Sequence, residues 1–196
     1  MSRREWGRPG LWAARGVGAC PRPVADRVQG PIAWNHVLME LRPMLPSDDL
    51  MPFLLAAMNW RDDGRWDAGT VLATPELAHY VTDWMRPGDA GVIAIEDGIP
   101  AGAAWWRHFS SVGPGYGYVA DDIPELGMAV LEPFRRRGAA SALLDALIAR
   151  ARAESLRAVS LSVEDGNDVA RLLYERRGFA PCGRVGDSEA MLLALG

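Results

Sequence analysis

The strongest constraint on the fold of this chain is one segment, in which a strand leads through an arginine-rich turn into a long helix. Glu125 to Leu131 is predicted to be a strand, which Pro133 ends. From Ala140 to Ala151 apolar residues recur at i, i+3, i+4, i+7, i+8 and i+11, which predicts a helix with one apolar stripe. A strand, a short turn and a helix in this order favour an α/β architecture.

The turn that joins them has the chemistry of an anion site. The first N–H groups of a helix have no partner inside it, and the helix dipole adds partial positive charge there. Gly138 has no Cβ to hold a ligand away, and Arg135, Arg136 and Arg137 add charge. We therefore predict that a phosphate binds here, although the turn is neither a Walker loop nor a dinucleotide-binding glycine loop. The alternative is a solvated arginine-rich turn that merely starts a helix.

Strands and helices also alternate along the rest of the chain. A helix is predicted from a Ser47 cap to about Asn59, a loop from Arg61 to Gly69, and a second helix from Thr74. Asp97-Gly98 predicts a tight hairpin. The remaining predicted elements are strands at 37–42, 91–96, 99–109, 157–163 and 191–195, a loop at 110–122, and a helix that Asn167 or Asp168 caps.

Charge and composition divide the chain in two. Residues 1–38 are rich in Arg, Gly and Pro and carry a net charge of about +4, which favours a disordered or weakly ordered leader. Residues 39–196 carry about −8 and have the length of one domain. An acidic body disfavours a nucleic-acid groove. Because no apolar run is long enough to cross a bilayer, we expect a soluble, cytoplasmic protein with no membrane partner.

A metal site is not predicted. Cys20 and Cys182 stand alone, and the sequence contains no CxxC pair. His36, His79 and His108 are scattered singly, so each is interpreted as a surface or packing residue.

Two motifs in the second half of the chain resemble a known family. Arg135-x-x-Gly138-x-Ala140 is similar to the acetyl-coenzyme A signature of the GCN5-related N-acetyltransferases (the GNAT family). About 30 residues later, the pattern from Asn167 through Ala170 and Tyr174 to Gly178-Phe179 resembles their second signature. The resemblance implies a mixed, mostly antiparallel twisted sheet flanked by helices, splayed between its fourth and fifth strands (Glu125 to Leu131 and Arg157 to Val163).

The resemblance also implies an acetyl-CoA site. The backbone amides from Arg135 through Ser141, including those of Ala139 and Ala140, would hold the pyrophosphate. The strand residues Met128, Ala129 and Val130 would border the pantetheine arm, with the Val130 N–H on the thioester oxygen. Asn167 and Ala170 would contact that arm, and Tyr174 would protonate the departing thiolate. A tyrosine in the core of its helix is the alternative interpretation of Tyr174.

Glu125 is the candidate base, because several members of that family carry a glutamate at the start of the equivalent strand. An alkylamine binds as an ammonium ion and must lose a proton before it attacks. The alternative is that the carboxylate binds a cationic substrate without taking its proton.

The acceptor is predicted to be the primary amine of a small molecule. Trp105 and Trp106 should face opposite sides of a strand, so one of them could wall an apolar acceptor pocket together with the loop around Tyr116 and Tyr118. Alternatives are a protein amine as acceptor, or a module that binds acyl-CoA without turnover. A homodimer is expected from the resemblance.

Overall fold

The structure is a computed structural model, and it describes residues 32–34, 37–61 and 64–196. The strands are β1 (Ile32–Trp34), β2 (Val37–Pro43), β3 (Ala90–Glu96), β4 (Ile99–Arg107), β5 (Glu125–Val130), β6 (Ala158–Glu164), β7 (Ala180–Val185) and β8 (Ser188–Ala194). The helices are α1 (Met51–Met58), α2 (Ala68–Ala73), α3 (Pro75–Ala78), α4 (Ala139–Ala153) and α5 (Asp168–Glu175), with a 3-10 turn at Glu132–Phe134.

One mixed sheet organises these elements. Its strand order is β1-β2-β3-β4-β5-β6-β8-β7, and its neighbours are antiparallel except for the parallel pair β5 and β6. That parallel pair is joined in register only at Glu125 and Ser160, whereas β6 pairs with β8 along its full length. The predicted mixed, mostly antiparallel sheet that is splayed between these two strands is therefore confirmed.

Helices cover both faces of the sheet and build one apolar core on each. The stripe predicted on α4 is buried, with Leu143, Leu144 and Leu147 at 0% exposure beside Trp106. Phe53 of α1 and Trp105 belong to the core on the opposite face. Full burial of one such side chain contributes about 1.5–3 kcal/mol. The neighbouring tryptophans thus point to opposite faces, as strand alternation requires.

The predicted hairpin is confirmed, since Asp97 and Gly98 join β3 to β4 with φ of 52° and 78°. The predicted start of the first helix is wrong, because α1 begins at Met51 rather than after Ser47. The Asp48 carboxylate is already held by Arg42, at 2.7 and 2.8 Å, so it does not sit in a helical turn.

Two further elements were not expected from the sequence. Helix α2 begins within the predicted loop, where the Asp67 carboxylate caps it by accepting from the Thr70 N–H at 2.8 Å. Strand β7 precedes the predicted last strand and pairs with it. Because nearly all residues of β7 are exposed, its sequence lacks the alternation of apolar and polar residues that would have predicted a strand.

Most of the predicted leader lies outside the described residues, as do Cys20 and His36. Within it, Ile32–Trp34 forms β1 and pairs with the start of β2. The domain boundary at residue 39 therefore stays a prediction. Among the helices of the described ranges, none has the length and apolar character needed to cross a bilayer.

Candidate active site

The splay between β5 and β6 opens into a cleft of about 1270 Å³. Both candidate catalytic residues, Glu125 and Tyr174, border it. So do the predicted cofactor residues apart from Arg137, namely Met128, Ala129, Val130, Arg135, Arg136, Gly138, Ala139, Ala140, Ser141, Asn167 and Ala170. The structure therefore brings residues from β5, the arginine turn and α5 around one space.

Strand β5 turns free backbone groups towards this space. The Leu131 N–H donates to the Ala101 carbonyl of β4 at 2.9 Å. Because backbone groups alternate in direction along a strand, the N–H of the preceding residue, Val130, points the other way, towards the splay. The Val130 carbonyl points there as well, and it accepts from Arg135 Nε at 3.2 Å. The Val130 amide is thus free to meet a ligand in the cleft, and its contact with the thioester oxygen stays a prediction.

The turn before α4 presents its amides because of two left-handed residues. Gly138 caps the helix with φ of 85°, and Arg136 has φ of 63°. A Cβ on Gly138 would meet no atom within 4 Å, so the backbone angle rather than crowding is what favours glycine there. The first helical bond runs from the Ala142 N–H to the Gly138 carbonyl, at 3.1 Å. The amides of Ala139, Ala140 and Ser141 precede that bond and carry the dipole's positive end.

The three turn arginines have different surroundings. Arg135 and Arg136 border the cleft, whereas the Arg137 side chain forms an ion pair with the buried Glu96 at the end of β3. The sequence pattern grouped all three and gave no sign of this partner. Arg176, which follows α5, also borders the cleft and was not predicted.

Glu125 is a buried carboxyl group. It is 5% exposed, and its Oε1 accepts a hydrogen bond from the Tyr80 hydroxyl at 2.9 Å. Burial raises the pKa of Glu125 to about 7, although the Gly117 amide and the Tyr80 hydroxyl each favour the charged form. A carboxyl group with a pKa near neutrality can accept a proton and release it again at physiological pH.

Glycines bring the 110–122 loop down onto this carboxyl group. A Cβ on Gly115 would overlap Glu125 Oε2 and would lie 2.7 Å from the Tyr80 hydroxyl oxygen. A Cβ on Gly117 would lie 2.5 Å from the backbone carbon of Leu161 in β6. The loop is therefore a close-fitting cover over the joined end of β5 and β6, and side chains at these two positions would not fit.

A buried arginine fixes the segment that carries Tyr80. Arg107, opposite Glu125 in the β4–β5 register, is fully buried and pairs with Asp89 at 3.0 Å. Its guanidinium also donates to the carbonyls of His79, Thr82 and Asp83 at 2.8 to 3.0 Å. The short α3 is thereby continued as an ordered turn beside β5. Sequence reasoning missed both Arg107 and Tyr80, because 45 residues separate Tyr80 from Glu125.

Tyr174 faces the cleft from α5. It is 7% exposed and packs against Phe179, with ring centroids 5.8 Å apart. Burial raises the pKa of Tyr174 to about 12. The phenol therefore stays protonated at neutral pH and can donate a hydrogen bond. The side chain packs in the core and also borders the cleft, so its position is compatible with both interpretations of this residue.

Asn167 holds the start of α5 as well as bordering the cleft. Its Oδ1 accepts from the Ala170 N–H at 3.3 Å, so it is the predicted helix cap. Within the described part of the chain the Asn167 amide nitrogen makes no hydrogen bond, so it is available for the predicted contact with the pantetheine arm.

Aromatic side chains form part of the lining of the same cleft. Trp60, Trp66, Trp105 and Tyr116, together the aromatic wall, all border the cleft. Trp60 Nε1 donates to Glu164 Oε2 at 2.6 Å, and Arg61 forms an ion pair with the same carboxylate. The pKa of Glu164 is lowered because these two donors outweigh the effect of its burial. This Trp60–Glu164 clasp ties the segment after α1 to the far end of β6.

Within residues 37–61 and 64–196, no group of three or more His, Cys, Asp or Glu side chains is placed to hold a metal ion. Cys182 is exposed on β7 and unpaired. Burial lowers the pKa of His79, and the charge of Arg107 adds to the effect.

Comparison with known proteins identifies the same region. The family model described as acetyltransferase (GNAT) family matches residues 55–179, from the second half of α1 to the end of the second motif. No curated protein is similar enough in sequence to count as a match.

Solved structures share the fold at low sequence identity. YncA from Salmonella typhimurium, solved with its cofactor acetyl-CoA, is 19% identical, with a TM-score of 0.56 over 81% of this chain and 94% of that chain. A PaiA N-acetyltransferase from Thermoplasma acidophilum, solved with coenzyme A, is 13% identical, with a TM-score of 0.56 over 80% and 98%. A ribosomal-protein-alanine N-acetyltransferase from Brucella melitensis is 25% identical, with a TM-score of 0.57 over 79% and 99%.

Proposed function

The chain belongs to the acetyltransferase (GNAT) family, and we propose that it moves an acetyl group from acetyl-CoA to the primary amine of a small molecule. The amine would attack the thioester directly while donor and acceptor are bound together. The single observation that carries the catalytic part is Glu125, a buried carboxyl group with a pKa of about 7 beside the cleft.

The donor site is supported by backbone groups that have no partner inside the sheet or helix. The amides of Ala139, Ala140 and Ser141 at the start of α4 suit a pyrophosphate, with Arg135 and Arg136 close by. The Val130 N–H points into the splay, where it can hydrogen-bond a carbonyl oxygen. Acetyl-CoA supplies the activated thioester carbonyl. Both structures named above with acetyl-CoA or coenzyme A share this fold.

Three residues of this chain perform the chemistry in this proposal. Glu125 takes the proton of the incoming ammonium ion, since its pKa leaves much of it ionised at neutral pH. The Val130 N–H stabilises the charge that develops on the carbonyl oxygen. Tyr174 stays protonated and donates to the departing sulfur. Holding both reactants in one cleft lowers the barrier by about 7–11 kcal/mol.

The acceptor end favours a small molecule with an apolar body. Trp105 and Tyr116 of the aromatic wall lie beside Leu54, Met58 and Leu77. Indole and phenol faces bind apolar groups and also attract cations. The Trp60–Glu164 clasp lies at the far end of β6, where it would restrict the access of a large acceptor to the cleft.

A protein amine is the second candidate. The Brucella protein is named for acetylation of an alanine of a ribosomal protein, and it shares this fold. A cleft walled by bulky indoles leaves less room for a polypeptide, so the small amine is preferred. A sensor that binds acyl-CoA without turnover has no use for a carboxyl group tuned to neutrality.

A thiol-release assay tests the proposal. Purified protein is incubated with acetyl-CoA and a panel that contains phenethylamine, tyramine, spermidine, glucosamine and an alanine-terminated peptide, and free coenzyme A is measured. We expect amine-dependent release, greatest with phenethylamine or tyramine. Greatest release with the peptide would favour the protein acceptor. Acetyl-CoA binding by calorimetry without any amine-dependent release would favour the sensor.

A further inference from the structure

Glu125 borders the cleft, but both of its carboxylate oxygens are engaged or covered. Its Oε1 is engaged by the Tyr80 hydroxyl at 2.9 Å. Its Oε2 is buried and makes no hydrogen bond of good geometry within the described residues, although the Gly117 amide lies near the carboxyl group, and it lies so close beneath Gly115 that a methyl group there would overlap it. A proton from the cleft can therefore reach Oε1 through the Tyr80 hydroxyl, which also borders the cleft and is hydrogen-bonded to this oxygen.

Tyr80 has the free valence to pass that proton on. A phenol has one proton to donate and two lone pairs to accept with. The proton is directed at Glu125, and one lone pair accepts from the Tyr116 N–H at 2.7 Å. One lone pair remains, and the Tyr80 side chain borders the cleft beside the aromatic wall.

We propose that Tyr80 is a catalytic residue that relays the proton of the acceptor amine to Glu125. The inference rests on the proposed acetyl transfer to an amine. One N–H bond of the ammonium ion breaks as its proton binds the Tyr80 oxygen. In the same step the original Tyr80 proton moves to Glu125 Oε1. The products are a neutral amine, an unchanged phenol and a neutral carboxylic acid, so charge and protons balance.

The surroundings favour a concerted transfer over a free phenolate. Burial is the main reason that the pKa of Tyr80 is well above its usual range, and the nearby Glu125 adds to it. On the other sides Tyr80 meets the neutral His79 ring, 4.7 Å away, and the Tyr116 backbone. Across the sheet, Arg107 is paired with Asp89, and β6 contributes the uncharged Ser160 opposite Glu125. Of these groups the Tyr116 N–H favours a phenolate, and burial and the charge of Glu125 outweigh it.

The test compares Tyr80→Phe with the matched control Tyr118→Phe. Tyr118 lies in the 110–122 loop and, contrary to the expectation from the sequence, does not border the cleft; its hydroxyl donates to Asp121, and Ser111 is close to it. Each variant is assayed for kcat/KM with phenethylamine and with 2,2-difluoro-2-phenylethylamine, whose fluorines leave the amine largely unprotonated at about pH 8. If another amine of the panel is the better acceptor, its fluorinated analogue replaces this pair.

The relay predicts a selective loss. Tyr80→Phe should lower kcat/KM about 100-fold with the basic amine and less than about threefold with the fluorinated one, because only the basic amine has a proton to lose before attack. An equal loss with both amines would mean that Tyr80 only supports the structure, and no loss would mean that the proton takes another route. Either result overturns the relay while the proposed function stands. Tyr118→Phe should match the unsubstituted enzyme.

A second measurement needs no variant, and so does not depend on whether Tyr80→Phe folds. Two protons move together in the relay, so kcat/KM with the basic amine should depend on the deuterium fraction of the solvent along a curve. A straight line would indicate a single proton in flight and overturn the relay. If the unsubstituted enzyme released no thiol with any amine, the proposed function would fall, and the relay with it.

Discussion

The two ends of β5 differ sharply, although only five residues separate Glu125 from Val130. At Glu125 the strand is paired on both sides and covered by Tyr80 and Gly115. At Val130 it is paired only with β4, and its other edge is open to the cleft. One short strand thus provides both a buried carboxyl group and an accessible amide. Burial tunes acidity at one end, and missing pairing leaves a donor free at the other.

The largest expected effect is at the covered end. Glu125→Gln keeps the shape and the acceptor for Tyr80 but cannot take a proton. Loss of a general base lowers kcat/KM by about 100- to 1000-fold. We expect this loss in the thiol-release assay at pH 7.5, with acetyl-CoA binding unchanged by calorimetry.

Glu132→Gln is the matched control, since this exposed carboxylate follows the open end of β5 and does not border the cleft. Full activity in Glu125→Gln would reduce Glu125 to a binding or structural group. The difference between the two ends of β5 would then concern packing and not catalysis.

Glu125→Gln should also reveal how much the burial of the Glu125 carboxylate lowers the free energy of unfolding. The pKa of Glu125 is about 7 in the folded protein against a usual value of 4.5, so folding favours the protonated form. Its stabilising contribution is present in full below pH 4.5 and is lost as pH rises through 7. Relative to Glu125→Gln, the free energy of unfolding of the unsubstituted protein should fall by about 3 kcal/mol between pH 4.5 and 8. Urea titrations at several pH values measure it, and a pH-independent difference would contradict the raised pKa.

At the open end, Gly138→Ala should weaken acetyl-CoA binding by about tenfold. The left-handed angle at this position costs a non-glycine residue about 1–2 kcal/mol, and relaxing it would turn the amides of α4 away from a pyrophosphate. Calorimetry measures the Kd.

Gly98→Ala is the matched control, because it introduces the same backbone strain at a position outside the proposed acetyl-CoA site. Gly98 has φ of 78° with no atom near its absent Cβ, and it lies at a hairpin outside the cleft. Both variants should lose similar stability, and only Gly138→Ala should lose affinity. Equal Kd values would show that the turn does not hold the donor.

The smallest expected effect concerns the clasp across the open end. Trp60→Phe removes the hydrogen bond to Glu164 but keeps an aromatic surface and the Arg61 ion pair. Because this contact is partly exposed, we expect KM for the amine to rise only about threefold while kcat is nearly unchanged. Trp84→Phe is the control, because the Trp84 Nε1 has no hydrogen-bond partner among the described residues and the side chain does not border the cleft. An unchanged KM for the amine would show that the Trp60–Glu164 clasp takes no part in acceptor binding.

Sequence patterns predicted the open end better than the covered end. Helical spacing predicted the α4 stripe, and a residue without a Cβ marked the glycine turn, whereas the splay was implied by the resemblance that the two motifs carry; the left-handed angle of Gly138 came only from the structure. Tyr80, Arg107 and Gly115 act through partners distant in sequence, and none belongs to a motif. The partner of Arg137 was missed for the same reason, since Glu96 lies 41 residues away on another strand.

Local rules also failed where side chains had other partners. Ser47 and Asp48 have the composition of a helix start, but Arg42 takes the Asp48 carboxylate and α1 begins later. Gly69 suggested a loop, yet Asp67 caps a short helix across it. Such competition between neighbours is decided by tertiary contacts, which a pattern along the chain does not record.

Gly115 gives the covered end an unusual sensitivity. The acidity of Glu125 depends on how tightly this loop residue excludes solvent from Oε2, yet glycine has no side chain that could take part in a reaction. Because a side chain there would not fit, we expect a substitution to displace the loop, hydrate Oε2 and shift the pH dependence of the proposed reaction although no proposed reacting group is replaced. In related chains, a larger residue there would mark a carboxyl group that is more hydrated and more acidic than the one in this protein.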